Sequence, residues 1–295
     1  MSTRQPLGIV VGIDGSSLSE AAARWAAEEA SRRGVGLHLV HARTTERWWP
    51  PAGTVPQDLS DASGQLLREQ VRRCTVAAPG VPVTTDYAGT GAAAALVEAS
   101  GAAELVVLGA RGLGQLRQVM LGSVSAQVAA HAQCPVVVVR ELDREPCAGG
   151  VVVGVDGAAS EPAVQFAMEH SARHGLPVTA IHAWWIDPVG GLDGFVPTPQ
   201  LREAWLQEER DSVDELLAPY RQKYPEVDIS ALVVRGLAVE VLLERSERAD
   251  LVVVGSRGRG GFASLLLGSV SHRVLQRAHC PVAVVHPDPA HTADT

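Results

Sequence analysis

The amino-acid sequence repeats itself once over nearly its whole length, and this repeat limits the possible folds more than any other feature. Residues 7–42 align with residues 149–183, with one extra residue in the first copy. Residues 104–140 align with residues 250–286, and 19 of these 37 aligned positions are identical. The duplicated unit is far longer than a solenoid repeat, so the sequence predicts two similar domains in tandem.

A charged segment that also bears proline and glycine, RELDREPCAGG at 140–150, separates the two copies. We therefore predict a first domain over residues 1–145 and a second domain over residues 146–295. Hydrophobic residues make up 46% of the chain, which is enough for two packed cores and argues against extensive disorder.

Each copy alternates short apolar runs with amphipathic segments. Residues 8–14 form a continuous apolar run, as expected for a strand buried on both faces of a parallel sheet. Residues 19–34 are amphipathic and rich in alanine, with Ser19 as the predicted N-cap and Gly34 beyond the end of the helix. The alternation predicts an α/β fold of two tandem Rossmann-like domains, each a five-stranded parallel sheet with helices on both faces. The predicted strands are 8–14, 36–42, 81–87, 104–109 and 135–140, then 150–156, 177–183, 228–234, 250–255 and 281–286.

Charge and composition argue against several classes of function. The net charge of −8 gives no sign of the basic surface that binds nucleic acid. No apolar run reaches the roughly 18 residues of a membrane span, and the first residues show no signal-peptide pattern, so we expect a cytoplasmic protein. The four cysteines have neither a CxxC motif nor a metal-binding spacing. We interpret them as buried reduced thiols, with a redox role as the alternative.

Two loops in each copy follow the strands that should flank a ligand site. In an open parallel sheet, ligands bind beyond the carboxyl ends of the strands, at the point where the strand order reverses. The first strand ends at Asp14, or at Asp156 in the second copy, and the fourth ends at Gly109, or at Gly255. If these two strands flank that point, each aspartate faces a glycine-rich loop across one crevice. We expect the glycines to permit positive φ and close approach of a ligand to the backbone.

The helix after each glycine-rich loop supplies a second binding element. It begins at Gly122-Ser123, or at Gly268-Ser269, where unpaired N–H groups and the positive end of the helix dipole favour phosphate. Further hydroxyl donors are expected from Ser123, Ser125, Ser269 and Ser271.

The spacing of the motif glycines is specific. The pattern G-x2-G-x9-G-S runs from Gly109 to Ser123 and again from Gly255 to Ser269. Together with the strand-ending aspartates, it resembles the ATP-binding branch of the universal stress protein family, here in tandem, and the likeness covers nearly the whole chain. The resemblance implies an adenine nucleotide alpha-hydrolase-like fold for each domain. It also implies an adenine nucleotide in each, with ATP, alone or with Mg²⁺, as the expected ligand.

The resemblance further implies which residues contact the nucleotide: the aspartate lies beside the nucleoside, the end of the second strand meets the adenine edge, and the glycine-rich loop and the next helix hold the phosphates. In the first domain these residues are Gly12, Asp14, Ala42, Gly109, Ala110, Arg111, Gly112, Leu113, Gly114, Gln115, Gly122, Ser123, Val124 and Ser125. In the second domain they are Gly154, Asp156, Ala183, Gly255, Ser256, Arg257, Gly258, Arg259, Gly260, Gly261, Gly268, Ser269, Val270 and Ser271. Gln115 stands where the second copy has Gly261, so we expect the two sites to differ in affinity.

Several of these residues have simpler interpretations. Asp14 and Asp156 are alternatively N-caps of the helices that follow them. Arg111 and Arg257 either pair with phosphate or are solvated loop charges.

Aromatic residues near the end of the second strand match between the copies. His41 and His182 are interpreted as packed strand-end histidines rather than metal ligands, because no second ligand keeps a fixed spacing to them. The pairs Trp48-Trp49 and Trp184-Trp185 are expected in the loops after this strand, as lid or interface residues, with stacking on the base as the alternative.

The chain contains a single lysine, Lys223, which lies outside both motifs. A Walker loop and a protein kinase each need a lysine at the phosphates, and the sequence has no nucleophile elbow or zinc-protease motif. We therefore favour a nucleotide-binding regulatory module of the stress response, without dedicated catalytic machinery and without a dedicated metal site. One alternative is a slow ATPase or nucleotidyl-transfer enzyme, with Asp14 or Asp156 as the metal-side carboxylate. The other is a nucleotide-free dimeric scaffold.

The resemblance also bears on partners. In the family the last strand of the domain mediates pairing, and here PVVVVR and PVAVVH occupy that position. We therefore expect a homodimer of tandem chains and a protein partner whose identity the sequence does not give.

Overall fold

The computed structural model describes residues 7–42, 57–89, 91–112, 121–140, 149–184, 198–258 and 267–287. Contacts divide the chain into two compact units, Met1–Asp143 and Arg144–Thr295. Each unit is an α/β domain with a five-stranded parallel sheet, which confirms the fold class that the alternating pattern predicted.

The first unit alternates five strands with four helices. The strands are β1 (Gly8–Ile13), β2 (Leu37–Ala42), β3 (Val83–Ala88), β4 (Ala103–Gly109) and β5 (Val136–Val139). The helices are α1 (Ser17–Arg33), α2 (Gln57–Ala77), α3 (Ala92–Ser100) and α4 (Ser123–His131). Neighbouring strands pair in parallel in the order β3-β2-β1-β4-β5, so the strand order reverses between β1 and β4. Because crossovers are right-handed, α1 and α2 pack together on one face of the sheet, and α3 and α4 pack together on the other.

The second unit repeats this arrangement. Its strands are β6 (Val151–Gly154), β7 (Val178–Trp184), β8 (Ile229–Arg235), β9 (Leu251–Gly255) and β10 (Val282–Val285). Its helices are α5 (Glu161–His174), α6 (Pro199–Lys223), α7 (Ala238–Ser246) and α8 (Ser269–Arg277), and a single 3₁₀ turn at Ala158–Ser160 precedes α5. The order is β8-β7-β6-β9-β10, so the reversal lies between β6 and β9.

Small and β-branched side chains form the core of each unit. In β1, Ile9, Val10 and Val11 are fully buried, as the continuous apolar run predicted. The buried side of α1 is mostly alanine, including the fully buried Ala22 and Ala26, so the helix axis lies close to the sheet. The first turn of α1 therefore stands directly against the strand ends where the site forms.

The two ends of α1 were predicted with unequal success. Gly34 ends the helix in the left-handed conformation, with φ of 67°, as expected. The predicted N-cap Ser19 is wrong, because Gly15 turns the chain with φ of 86° and the helix starts earlier. Ser16 is the N-cap, and its hydroxyl accepts a hydrogen bond from the backbone N–H of Ser19 at 3.2 Å.

Three cysteines lie in the described part of the chain, and Cys147 lies outside it. Cys74, Cys134 and Cys280 are buried and form no disulfide. Burial raises the pKa of the Cys74 thiol to about 11 and that of Cys134 to about 12. These values agree with the interpretation of buried reduced thiols, since a redox cysteine is exposed and has a lowered pKa.

Within the described ranges, no helix combines the length and the apolar character needed to cross a membrane.

Candidate functional site

Each unit has a crevice at the carboxyl edge of its sheet, where the strand order reverses. We define the first crevice by Asp14 after β1, Gly109–Gly112 after β4 and the N-terminus of α4. The second crevice is defined by Asp156 after β6, Gly255–Gly258 after β9 and the N-terminus of α8. This is the edge at which open parallel sheets bind ligands.

The aspartate and the glycine-rich loop meet across each crevice. Gly112 lies so close to the Asp14 carboxylate that a Cβ atom added to Gly112 would collide with Asp14 Oδ2. In the second crevice a Cβ atom on Gly258 would lie 3.2 Å from Asp156 Oδ2. Two sequence segments about a hundred residues apart are thus brought together in both units, as the strand order predicted.

The aspartates belong to turns and do not cap the following helices. Asp14 Oδ1 accepts hydrogen bonds from the Ser16 backbone N–H at 2.9 Å and from the Ser16 hydroxyl at 2.6 Å. Ser16 itself is the N-cap of α1, and Ser160 is the N-cap of α5. The N-cap interpretation of Asp14 and Asp156 is therefore wrong, because the turn glycine separates each aspartate from its helix.

The two crevices differ in what orients the aspartate. Ala158 stands where the first copy has Ser16, so the second unit has no hydroxyl at this position. One contact is common to both units: the backbone N–H of Asp156 donates to the Ser160 hydroxyl at 2.7 Å, and that of Asp14 donates to the Ser19 hydroxyl at 3.5 Å.

The loop after β4 is tied to the start of α4. The Gly122 N–H donates to the Ala110 carbonyl at 2.7 Å, and the Ser125 hydroxyl donates to the Gly109 carbonyl at 2.8 Å. Ser125 is buried, so its hydroxyl proton serves the loop rather than the crevice. It is a positioning group, and the prediction of a phosphate-facing hydroxyl does not match this arrangement.

The loop after β9 is held in the same way. The Gly268 N–H donates to the Ser256 carbonyl at 2.7 Å, and the buried Ser271 hydroxyl lies 3.2 Å from that same oxygen and 3.0 Å from the Gly268 carbonyl. Both loops are therefore fixed against the helix that follows them.

The starts of α4 and α8 present free donors. Gly122 and Gly268 are the N-caps, and no side chain among the described residues caps either helix. Ser123 and Ser269 follow them and are exposed. The first N–H groups of each helix therefore suit an anion, as predicted.

The expectation of positive φ is confirmed for Gly15 and Gly157, directly after the aspartates, and is wrong for the other described glycines of the motif, which serve close packing. A Cβ atom on Gly109 would lie 2.8 Å from the backbone carbon of Leu18 in the first turn of α1. One on Gly12 would lie 2.7 Å from Leu108 Cδ2, so Gly12 faces the core rather than the crevice. Gly154 likewise faces Leu242, at 3.2 Å. Absence of a side chain at these positions lets the helices and strands approach each other at the site.

The end of the second strand borders the crevice in each unit. Ala42 is the last residue of β2, and Ala183 is the last but one of β7; both are partly exposed. His41 Nδ1 lies 2.7 Å from the Ile13 carbonyl, directly before Asp14. His182 Nδ1 lies 2.9 Å from the Val155 carbonyl, directly before Asp156. These contacts agree with packed strand-end histidines.

Glu209 is a residue of this edge that sequence reasoning missed. It lies on α6, and its Oε2 is 2.9 Å from His182 Nε2, an ion-pair distance without the alignment of a hydrogen bond. The sequence signal that could have pointed to Glu209 is a difference between the copies: the first copy has no acidic residue at the matching position.

The remaining predicted residues are either exposed at the loops, part of a strand, or outside the described residues. Arg111 and Arg257 are exposed at the loops, where either of their two interpretations holds. Leu113, Gly114, Gln115, Arg259, Gly260 and Gly261 lie outside the described residues, as do Trp48, Trp49 and Trp185. Trp184 is the last residue of β7 and not a loop residue, because the strand continues beyond His182.

Fold and site together define a tandem protein of two doubly wound α/β domains, each with a glycine-rich loop at its switch point. The model of the universal stress protein family matches residues 8–140 and 150–286, so the chain belongs to that family. A universal stress protein of Mycolicibacterium smegmatis is 38% identical over 295 residues, covering 95% of this chain and 97% of that protein.

Solved structures share the fold. A universal stress protein from Archaeoglobus fulgidus superposes with a TM-score of 0.67 at 18% identity, over 96% of this chain and 99% of that one. Other universal stress proteins have been solved in complex with cAMP and, from Archaeoglobus fulgidus, with dAMP. These two cover 46% of this chain and 98% and 97% of theirs, with identities of 26% and 28% and TM-scores of 0.37 and 0.35.

Proposed function

We propose that each unit binds an adenine nucleotide, with ATP as the expected ligand, and that occupancy regulates a protein partner in the stress response. The observation that carries the proposal is the approach of Gly112 to the Asp14 carboxylate, repeated at Gly258 and Asp156. This approach joins a carboxylate acceptor, suited to ribose hydroxyls, to a loop of exposed backbone.

Phosphate recognition is assigned to the helix starts. The uncapped N–H groups at Ser123 and Ser269 point out of α4 and α8, and the dipole of each helix adds positive potential there. Arg111 and Arg257 lie in the adjoining loops and can add charge-assisted hydrogen bonds. Backbone donors hold phosphates without a lysine, which agrees with the position of Lys223 outside both motifs.

A bound Mg²⁺ would neutralise phosphate charge, and a carboxylate oxygen is a ligand type that it accepts. Asp14 and Asp156 are the crevice carboxylates that could meet it. The contacts with Ser16 orient the Asp14 carboxylate. ATP without the metal would be held by the helix starts and the loop arginines. Regulation is favoured over catalysis because binding by fixed backbone groups requires no general base.

The test is nucleotide stoichiometry. The purified chain is denatured and the released adenine nucleotides are counted by mass spectrometry, with ATP titration by calorimetry; we expect about two per chain. Gly112→Glu together with Gly258→Glu should remove binding, because each new side chain fills the space beside an aspartate. A double variant that binds ATP normally would refute the proposal.

Gly101→Glu is the matched control. Gly101 lies at the opposite edge of the first sheet and has an ordinary φ of −69°. The atoms nearest to a Cβ atom added there belong to the flexible Gln133 side chain, at 3.3 Å. This variant should keep full stoichiometry. The homodimer of tandem chains stays a prediction, and the mass from light scattering tests it.

A further inference from the structure

We propose that α6 gives the second crevice a wall for the base, in which Glu209 accepts a hydrogen bond from an exocyclic amino group and Trp205 stacks on the ring. The second crevice would then select an aminopurine over an oxopurine, and the first would select less. This inference rests on the proposed function, because it requires a nucleotide in the second crevice.

Glu209 lies against His182, near the carboxyl end of β7. The Val155 carbonyl can only accept a hydrogen bond, so His182 Nδ1 carries the proton that spans their 2.9 Å contact. His182 Nε2 is buried and makes no aligned hydrogen bond with the carboxylate that lies 2.9 Å away. The Glu209 side chain is 32% exposed, so its carboxylate lies next to His182 and remains accessible to a hydrogen-bond donor.

The direction of α6 places its first turns beyond the sheet. The helix begins after the carboxyl end of β7 and leads to the start of the parallel strand β8, so it runs antiparallel to both. The ten residues before Glu209 span about 15 Å of helix. Beyond His182, β7 has only two more residues, or about 7 Å. The start of α6 therefore extends past the strand ends, on the side where the crevice opens.

One face of α6 is buried against the sheet in its middle and partly exposed towards the start of the helix. Val213 and Leu217 are buried, Glu209 meets His182 one turn earlier, and Trp205 and Leu201 follow at the same spacing of four residues. Trp205 and Leu201 are half-buried, and no residue of α6 before Val213 is fully buried. The face that packs on the sheet thus continues past its edge as an apolar wall with an aromatic ring.

The matching helix of the first unit, α2, carries neither group at the equivalent positions. The last turns of α2 and α6 match, because Ala78 N–H donates to the Cys74 carbonyl as Tyr224 N–H donates to the Tyr220 carbonyl. This register pairs Glu209 with Ser63 and Trp205 with Leu59 by sequence position. The two matching helices therefore differ in a carboxylate and an aromatic ring at these positions.

The chemistry of the two groups names the ligand class. A carboxylate accepts from the amino group of adenine and repels the carbonyl oxygen that hypoxanthine carries at the same position. An aromatic ring stacks on either base with little selectivity. Glu209 therefore sets the choice of base, and Trp205 sets affinity for any purine.

The experiment measures ATP and ITP affinity by calorimetry in the Gly112→Glu background, where only the second crevice reports. A hydrogen bond to a charged group is worth on the order of 10-fold or more in affinity, so ATP should be preferred by at least that factor. Glu209→Gln should remove the preference and strengthen ITP binding, because the amide can donate to the carbonyl of hypoxanthine. Trp205→Leu should weaken both ligands by a similar factor.

The controls separate this inference from the proposed function. Glu208→Gln makes the same charge change on an exposed neighbour and should leave the ATP to ITP ratio unchanged. If the Gly112→Glu background and the unaltered chain both bind no ATP, the proposed function fails. If the background binds ATP and Glu209→Gln leaves the ratio unchanged, the assignment of Glu209 is wrong. If Glu209→Gln does not fold, Trp205→Leu is the deciding variant. Equal ATP binding by Trp205→Leu and by its background would show that α6 does not form a wall for the base.

Discussion

Gly109 and Gly255 hold the same motif position, yet the structure predicts unequal costs for placing alanine there. A Cβ atom on Gly109 would lie 2.8 Å from the backbone carbon of Leu18 and 2.9 Å from its oxygen. These atoms belong to the first turn of α1, which cannot move without shifting the helix on the sheet. On Gly255 the nearest atom is the Arg257 carbonyl oxygen, at 3.1 Å, which belongs to a loop.

The magnitudes follow from overpacking. Forcing a methyl group into a packed core costs about 1 to 3 kcal/mol, and we expect Gly109→Ala to fall in this range. At Gly255 a small loop shift relieves the contact. Replacing glycine also removes unfolded-state entropy, worth about 0.4 to 1 kcal/mol, so Gly255→Ala should be close to neutral.

Hydrogen exchange is the assay, because two units in one chain need not unfold in a single transition. The amides of β4, at Val106 to Leu108, should lose protection by roughly 5- to 150-fold in Gly109→Ala. The amides of β9, at Val252 to Val254, should change little in Gly255→Ala. Equal losses in the two variants, or a larger loss at Gly255, would refute the argument from close packing.

Two further predictions concern the first unit. Ser16→Ala removes both the N-cap of α1 and the hydroxyl donor to Asp14. It should lower the stability of the first unit by about 1 kcal/mol, which unit-resolved hydrogen exchange would show. It should also weaken ATP binding at the first crevice alone, which calorimetry in the Gly258→Glu background would show. Cys74 and Cys134 should resist alkylation at pH 8 in the folded chain and react after denaturation, as mass spectrometry would show. Because folding raises the pKa of these thiols from 9.0 to about 11 and about 12, their contribution to stability is present below pH 9 and is lost as the pH rises towards those values.

Strand and helix positions were predictable because they depend on local pattern. The run predicted as a strand at residues 8–14 is apolar up to Asp14, and the structure has β1 at Gly8–Ile13. The crevice was predictable for a different reason: parallel strands joined by right-handed crossovers end at one edge, so the order of elements places Asp14 opposite the glycine-rich loop.

Side-chain roles at the same edge were less predictable. Ser125 was expected to face a ligand, but its hydroxyl donates to the Gly109 carbonyl inside the protein. Which partner the Ser125 hydroxyl finds depends on the direction in which it points from the first turn of α4. Spacing along the chain does not specify that direction. Gly109 itself was expected to serve a backbone conformation, but it serves the approach of α1.

The sequence alone therefore determined the duplication, the α/β class and the two matched motifs, because these depend on periodicity and spacing within short segments. Tertiary structure decided which atoms fill the space around the motifs. Glu209 shows the difference: it lies 27 residues from His182 along the chain, and only the packing of α6 beside β7 brings their side chains together. Contacts of this kind depend on where a helix lies on a sheet, which is set by the whole core and not by any local pattern.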